Sequence, residues 1–275
     1  MFAELIEEIS KRAAVIKNEG DYVKDDLLHC GVCNEPKQAV KVIPFADNKT
    51  LIVPLMCKCQ RDAEEKERLA LAEQEHKRKV KYLIEHGLTY SKYREGVFAR
   101  DDGRDTNITK ICCNYVRHFR EMQDLNNGIL FYGNTDKGKT FYACCIANAL
   151  IQREIPVLVT TLSNLVQNRV KAMTNKTPEI SLDEFECIVL DDIGTENVTQ
   201  TAFNIIDEIY LSKKPLIVTT NLTPSSLKNA DSLERKRIYN RILEMCGTKV
   251  YVEHSGSRLQ AGKDKGKIAD SILNS

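Results

Sequence analysis

Three groups of residues in this 275-residue chain have types and spacings that could do chemistry. The first is Gly133-Asn134-Thr135-Asp136-Lys137-Gly138-Lys139-Thr140, which fits G-x-x-x-x-G-K-[ST] without a gap. The apolar run Gly128–Tyr132 leads into it, and a helix-length stretch from Thr140 to about Arg153 leads out. In that strand–loop–helix context, backbone N–H groups at the loop and helix start form a cradle for phosphate oxygens. Lys139 would reach the β- and γ-phosphates of ATP, and the Thr140 hydroxyl would bind Mg²⁺. Asp136 stands out, because it puts a carboxylate where anions should sit. Either it points outward or Lys137 offsets it, and weaker nucleotide binding is expected than with glycine there.

The second group follows about 50 residues later. Cys187-Ile188-Val189-Leu190-Asp191-Asp192 is an apolar strand ending in two acids. Alone this is a common turn signal. Paired with the phosphate loop, it makes Asp191 the Mg²⁺ residue and Asp192 the candidate base for the attacking water. The run Pro215–Thr220 is followed by Asn221, which either positions that water or is an ordinary strand-to-loop Asn. Arg237 and Arg241 lie four apart and share a helix face. They are either a solvated face or fingers that reach a neighbouring subunit's γ-phosphate. The helix position after the motif strands favours the second.

The third group is Cys30, Cys33, Cys57 and Cys59, two short pairs separated by 23 residues. Such pairs suit tetrahedral Zn²⁺ held by four thiolates. The second pair is C-x-C rather than C-x-x-C, and His29 could replace one ligand. Buried apolar cysteines are the competing reading. Cys112, Cys113, Cys144, Cys145, Cys187 and Cys246 sit in apolar surroundings and read as core.

The elements that must hold these residues differ along the chain. Residues 1–27 read as a helix and its exit, with Leu5, Ile6, Ile9, Ala13 and Ile16 on one stripe. Residues 28–60 read as a loop-and-hairpin module. Residues 61–81 form a highly charged helix, acidic at its start and basic at its end, as the helix macrodipole favours. Residues 87–107, with three glycines and the charged run Arg100–Asp105, are the linker candidate. Beyond them, strand-length runs at Gly128–Tyr132, Pro156–Thr160, Cys187–Ile193, Pro215–Thr220 and Lys249–Val252 alternate with helix-length stretches. That alternation implies βαβ units and a mostly parallel sheet.

Composition sets the outer bounds. The hydrophobic fraction of 42% excludes disorder over the whole chain. No apolar run approaches the roughly 20 residues of a membrane helix. The first eight residues carry three acids, the opposite of a signal peptide, so a cytoplasmic location with no membrane partner is expected. Net charge is +1, from 40 basic and 39 acidic residues. That balance gives no support for a strongly basic duplex-DNA binder, though a local basic groove is compatible with it.

Taken together, Tyr132–Thr140, Val189–Gly194, Pro215–Leu222 and the Arg237/Arg241 pair resemble the AAA+ ATPases of the DnaC/DnaI helicase-loader family, which also includes the IstB transposition helper. The resemblance covers about residues 85–260, and Gly256-Ser257-Arg258 is similar to the family's C-terminal Gly-x-Ser-x-Arg region, shortened by one residue. It implies an α/β fold: an AAA+ P-loop NTPase domain with a parallel five-stranded sheet flanked by helices, preceded by a small zinc-binding, partly helical N-terminal domain. The implied boundaries are 1–86 for the N-terminal domain, with a zinc module at about 28–60 and a charged helix at 61–82, then 87–107 for the linker and 108–275 for the ATPase domain. Asn221 would be the sensor-1 residue, and Arg241 the better finger, with Arg237 beside it. Many relatives carry Arg in place of Ile209, so a contact made by that Arg is lost or moved here.

The resemblance also implies partners. Related loaders use a small N-terminal zinc module to hold the hexameric replicative DNA helicase, while the ATPase domain contacts single-stranded DNA and self-associates into a ring or spiral. Lys171 and Lys176 are DNA-contact candidates, because they would face the central channel of such an assembly. Two alternatives are an IstB-like transposition helper ATPase and a nucleotide-binding regulator with little turnover. The cysteine module and near-neutral charge weigh against the first. Asp136 is the main argument for the second.

Overall fold

The computed structural model describes residues 17–43, 49–175, 178–195 and 199–253. The stripe in residues 1–16, Lys176 and the Gly256–Arg258 segment lie outside the described residues. The chain divides into two compact units, Met1–Lys77 and Arg78–Ser275.

Among the described residues, the first unit contains two small hairpins and the beginning of a long helix. Strands β1 (Tyr22–Lys24) and β2 (Leu27–His29) are antiparallel, with Lys24 opposite Leu27. Only Asp25 and Asp26 lie between them, both at positive φ (51° and 59°), the two-residue loop whose twist matches a hairpin. Strands β3 (Gln38–Ile43) and β4 (Lys49–Pro54) pair from Gln38↔Pro54 to Ile43↔Lys49. So little sheet buries too little apolar surface to be stable alone. Part of the bracing is polar: Asp21 accepts hydrogen bonds from Asn18 N, Gly31 N and the fully buried Lys37 Nζ at 2.6 Å.

Helix α1 (Lys58–Gly87) begins in the first unit and ends in the second. It starts three residues earlier than the charge pattern predicts. Its first turn therefore holds Lys58 and Arg61 and no acid, so the expected macrodipole pairing is absent there. The acids that prompted the expectation instead pair along the helix, as in Glu65–Arg68 and Glu73–Lys77.

The second unit centres on a five-stranded sheet. Its strands are β5 (Ile129–Tyr132), β6 (Val157–Thr160), β7 (Cys187–Ile193), β8 (Leu216–Thr220) and β9 (Thr248–Tyr251). All pairings are parallel, in the order β6-β7-β8-β5-β9. Period-2 side chains feed two cores, one on each face. Ile129, Phe131, Val157, Val159, Val189 and Ile217 pack with α2 (Thr106–Arg117) and α4 (Lys139–Ile151). Leu130, Leu158, Ile188, Leu190 and Val218 pack with α5 (Leu162–Asn175), α6 (Gln200–Leu211) and α8 (Leu233–Met245). Each fully buried Leu, Ile or Phe contributes about 1.5–3 kcal/mol of transfer free energy. The short helices α3 (Phe119–Asp124) and α7 (Pro224–Lys228) also belong to the unit. The α/β class with a parallel five-stranded sheet flanked by helices is thus observed.

Residues 87–107, expected to be a linker, lie in this second unit. They form 3₁₀ turns at Ser91–Glu95 and Phe98–Arg100 and bury Tyr93 completely. Leu88 bridges to Val159 of β6, and Thr89 donates to the Val159 carbonyl through both N and Oγ1. The glycines that made the stretch look flexible serve packing: a Cβ on Gly96 would come within 2.3 Å of Cys144 Cβ. Five of the six outlying cysteines are buried as expected, and Cys113 is half-buried.

Candidate nucleotide cleft and cysteine cluster

The phosphate loop runs from the carboxyl end of β5 to the start of α4. Gly138 precedes the helix at φ 97°, a left-handed conformation open to glycine at little cost. Lys139 is nearly buried, and its ammonium donates to the loop's own carbonyls, Gly133 O at 3.0 Å and Asn134 O at 2.7 Å. Burial lowers its pKa, opposed by the carboxylates of Asp192, Asp136 and Asp191. Asp136 is exposed, at φ 61°, and lines the cleft.

Strand β8 lies between β5 and β7, so the sheet order sets Asp191 across from the loop. Asp191 is only 3% exposed. Its Oδ1 accepts from Thr140 Oγ1 at 2.6 Å and from Thr219 Oγ1 at 2.7 Å. Its Oδ2 accepts from Tyr93 Oη at 3.2 Å and Lys92 Nζ at 3.4 Å. The pairing of β7 with β8 shifts register between Leu190 and Ile193, with Asp192 at φ 59°. This irregularity turns Asp192 out to the rim, where its N–H donates to Thr219 Oγ1. The two adjacent acids thus occupy different environments.

These groups line one cleft of about 380 Å³ together with Asn221 and Lys92. The donor set fits a Mg²⁺–nucleotide: an ammonium, a hydroxyl beside a carboxylate, and a loop leading into a helix N-terminus. The sequence-predicted residues from Thr135 to Thr140, Asp191, Asp192 and Asn221 are brought together here. Lys92, Tyr93 and Thr219 were missed. Thr219 had a signal, the polar Thr-Thr end of β8 followed by Asn221. Lys92 and Tyr93 had none, being 41 and 40 positions before Gly133 in a stretch with linker composition.

Arg237 and Arg241 do not join the cleft of their own chain. Arg241 pairs with Asp207 Oδ1 at 2.6 Å and lies over the rings of Phe203 and Tyr210, at 4.6 and 5.6 Å from their centroids. It ties α8 to α6 instead of standing free. Arg237, one turn earlier, is exposed. Ile209, on α6, is fully buried in the core. Lys171, the DNA-contact candidate, is an exposed residue of α5, which runs on to Asn175.

In the first unit, the Sγ atoms of Cys30, Cys33, Cys57 and Cys59 lie within 4.8 Å of one another. Thiolates bound to a tetrahedral Zn²⁺ at about 2.3 Å stand about 3.8 Å apart, so the cluster fits that ion. Backbone N–H groups of Cys59 and Glu35 lower the Cys33 pKa to about 6, while the crowded neighbour Cys33 and burial push Cys59 up to about 12. His29 is not part of the group; its ring contacts Asn34 O at 3.2 Å and stacks on Tyr22.

Fold and cleft together are similar to those of P-loop nucleotide-binding proteins. More particularly, the chain is similar to the DnaC/DnaI-type replicative helicase loaders. It is 26% identical over 110 residues to the replicative helicase loader DnaI of Bacillus subtilis, covering 37% of this chain and 35% of that protein. It is 25% identical over 158 residues to the chromosomal replication initiator protein DnaA of Helicobacter pylori, covering 54% of this chain and 33% of that one. The matches thus span about a third of the length of these curated relatives. A solved structure from Streptococcus pyogenes serotype M3, described as a candidate primosome component, has the same fold, with a TM-score of 0.52 and 17% identity over 64% of this chain and 97% of that one. No family model matches the chain. Among the described residues, no helix is long and apolar enough to cross a membrane.

Proposed function

We propose that the protein is an ATP-dependent loader that delivers a hexameric replicative DNA helicase to single-stranded DNA at replication initiation. The observation that carries the nucleotide half is the Thr140 hydroxyl set against the Asp191 carboxylate beside Lys139. The partner half is supported by the similarity to DnaI and by the cysteine cluster.

In this reading Gly133 to Thr140 hold the phosphates of ATP, and Lys139 exchanges its loop carbonyls for β- and γ-phosphate oxygens. Thr140 and Asp191 hold Mg²⁺, which when bound neutralises charge on those oxygens. Asp192 takes the proton of the attacking water, and Asn221 positions that water. Self-association into a ring or spiral on ATP or DNA binding gives the arginines a target. Arg237 can reach a neighbour's γ-phosphate as it stands, whereas Arg241 must first leave Asp207. Cys30, Cys33, Cys57 and Cys59 hold Zn²⁺, which supplies folding free energy to a module with little core. That module faces the helicase. Lys171 remains a DNA-contact candidate through its exposure on α5.

A second reading, a nucleotide-binding regulator with little turnover, is favoured by one observation, the exposed Asp136 carboxylate in the phosphate loop. ATPase activity measured with single-stranded DNA and helicase present separates the two; zero turnover throughout would select the regulator. The loader reading is tested by a pull-down with the host's replicative helicase. The full chain should retain it and the full-length Cys57→Ser/Cys59→Ser variant should not. No retention by the unmodified chain would sink the assignment. Lys139→Ala should abolish nucleotide binding, and unchanged binding would remove the basis of the ATP site.

A further inference from the structure

One cation in the nucleotide cleft does not come from the phosphate loop. Lys92 sits on the Ser91–Glu95 turn, and its Nζ lies 3.4 Å from Asp191 Oδ2. Its side chain is 63% exposed, yet its backbone is anchored. The neighbouring Tyr93 is fully buried, and the buried amide of Asn148 donates to the carbonyls of Tyr93 and Gly96. The Tyr93 ring also lies beneath the ammonium, 4.9 Å from its centroid. A flexible charge on a fixed root is therefore aimed at a buried carboxylate.

Asp191 needs such a charge. Its other three hydrogen-bond donors, Thr140, Thr219 and Tyr93, are neutral hydroxyls. A buried carboxylate with neutral partners alone keeps an uncompensated charge in a poorly solvated site. Lys139, another cation lining the cleft, directs its ammonium hydrogen bonds to Gly133 and Asn134.

Resting on the ATP-site reading above, we propose that Lys92 is a built-in counter-cation for Asp191 that competes with Mg²⁺ for it. Divalent ion and ammonium repel each other at one carboxylate, so Mg²⁺–nucleotide binding has to displace Lys92. Its exposed stem leaves it room to move into the cleft. The chain would then need more Mg²⁺ for nucleotide binding than the donor set alone implies, and Lys92 sets that threshold.

The test is a fluorescent-ATP titration against Mg²⁺ with the full chain, paired with Mn²⁺ binding followed by electron paramagnetic resonance without nucleotide. In Lys92→Ala the half-maximal Mg²⁺ concentration should fall by about two- to fivefold, the scale of a half-exposed ion pair, and Mn²⁺ should bind more tightly. Lys92→Arg, which keeps the charge, should stay near the unmodified midpoint. A midpoint in Lys92→Ala that is unchanged or raised overturns the competition while leaving the ATP site intact. Absence of any Mg²⁺-dependent nucleotide binding in the unmodified chain overturns the ATP-site reading itself, and the competition with it.

Discussion

Asp191 and Asp192 are consecutive residues with the same side chain, and the backbone alone makes them different. The register shift after Leu190 buries one against Thr140 and leaves the other at the rim. The sequence pattern told which residue was which only by position in a strand; the hydroxyls of Thr219 and Tyr93 that complete the Asp191 shell come from segments far away in the chain. Asp136 was legible as an anomaly from its type alone. The structure adds a second consequence, since it holds φ 61° without being glycine. Left-handed backbone costs a non-glycine residue roughly 1 kcal/mol. Asp136→Gly should therefore stabilise the loop and tighten nucleotide binding about two- to fivefold by removing a partly screened like charge. An equilibrium titration showing unchanged or weaker binding would mean that the carboxylate does not oppose the phosphates. In the first unit, hydrogen bonding by Lys37, then by the Asn18 and Gly31 N–H groups, holds Asp21 at about 2, against an ordinary 3.8. A depressed folded pKa stabilises above the unfolded value and is lost as pH falls through the folded one. Asp21's contribution is thus complete above about pH 3.8 and disappears toward pH 2. Asp21→Asn should flatten that part of the acid-unfolding curve, followed by circular dichroism.

At the scale of elements, strands were more legible than helices. Buried parallel strands read as short apolar runs, and all five predicted runs are strands within a residue of their ends. The charged helix was longer than its charge pattern, because Val80 and Gly87 near its end are buried against the second unit's core rather than solvated. The arginine pair on α8 shows the limit of spacing arguments. Four residues apart means one face, but not what that face meets, and Arg241 meets Asp207, Phe203 and Tyr210 of α6. Arg241→Ala should therefore lower the stability of the nucleotide-free protein by about 1–2 kcal/mol, combining a half-buried pair and a ring contact. Arg237→Ala should leave that thermal midpoint unchanged and reduce only hydrolysis that depends on assembly. Equal midpoints for both variants would free Arg241 from a structural role.

At the scale of the whole chain, the two units make separable predictions. Elemental analysis should find about one zinc per chain, and a zinc-selective chelator, with Mg²⁺ kept in excess, should unfold the first unit while nucleotide binding in the second persists. Loss of nucleotide binding on chelation would show that the units do not fold independently. In the sequence, cysteine-rich turns give way to alternating strands and helices, while the structure divides between Lys77 and Arg78. Glycine and charge between residues 87 and 107 mimic a connector in the sequence, yet that stretch lies inside the second unit. Burial of Tyr93 and the clamp by Asn148 are long-range contacts that no local pattern encodes.

That segment also protects the sheet. Strand β6 is the last in its row, and its outward backbone would be an open template for another chain if left bare. Leu88 and Thr89 occupy part of it through Val159. A fragment of the second unit cut at residue 108, where composition would place its start, loses this cover together with Lys92. Such a fragment should aggregate through its exposed edge, while one that begins at Arg78 keeps that edge capped.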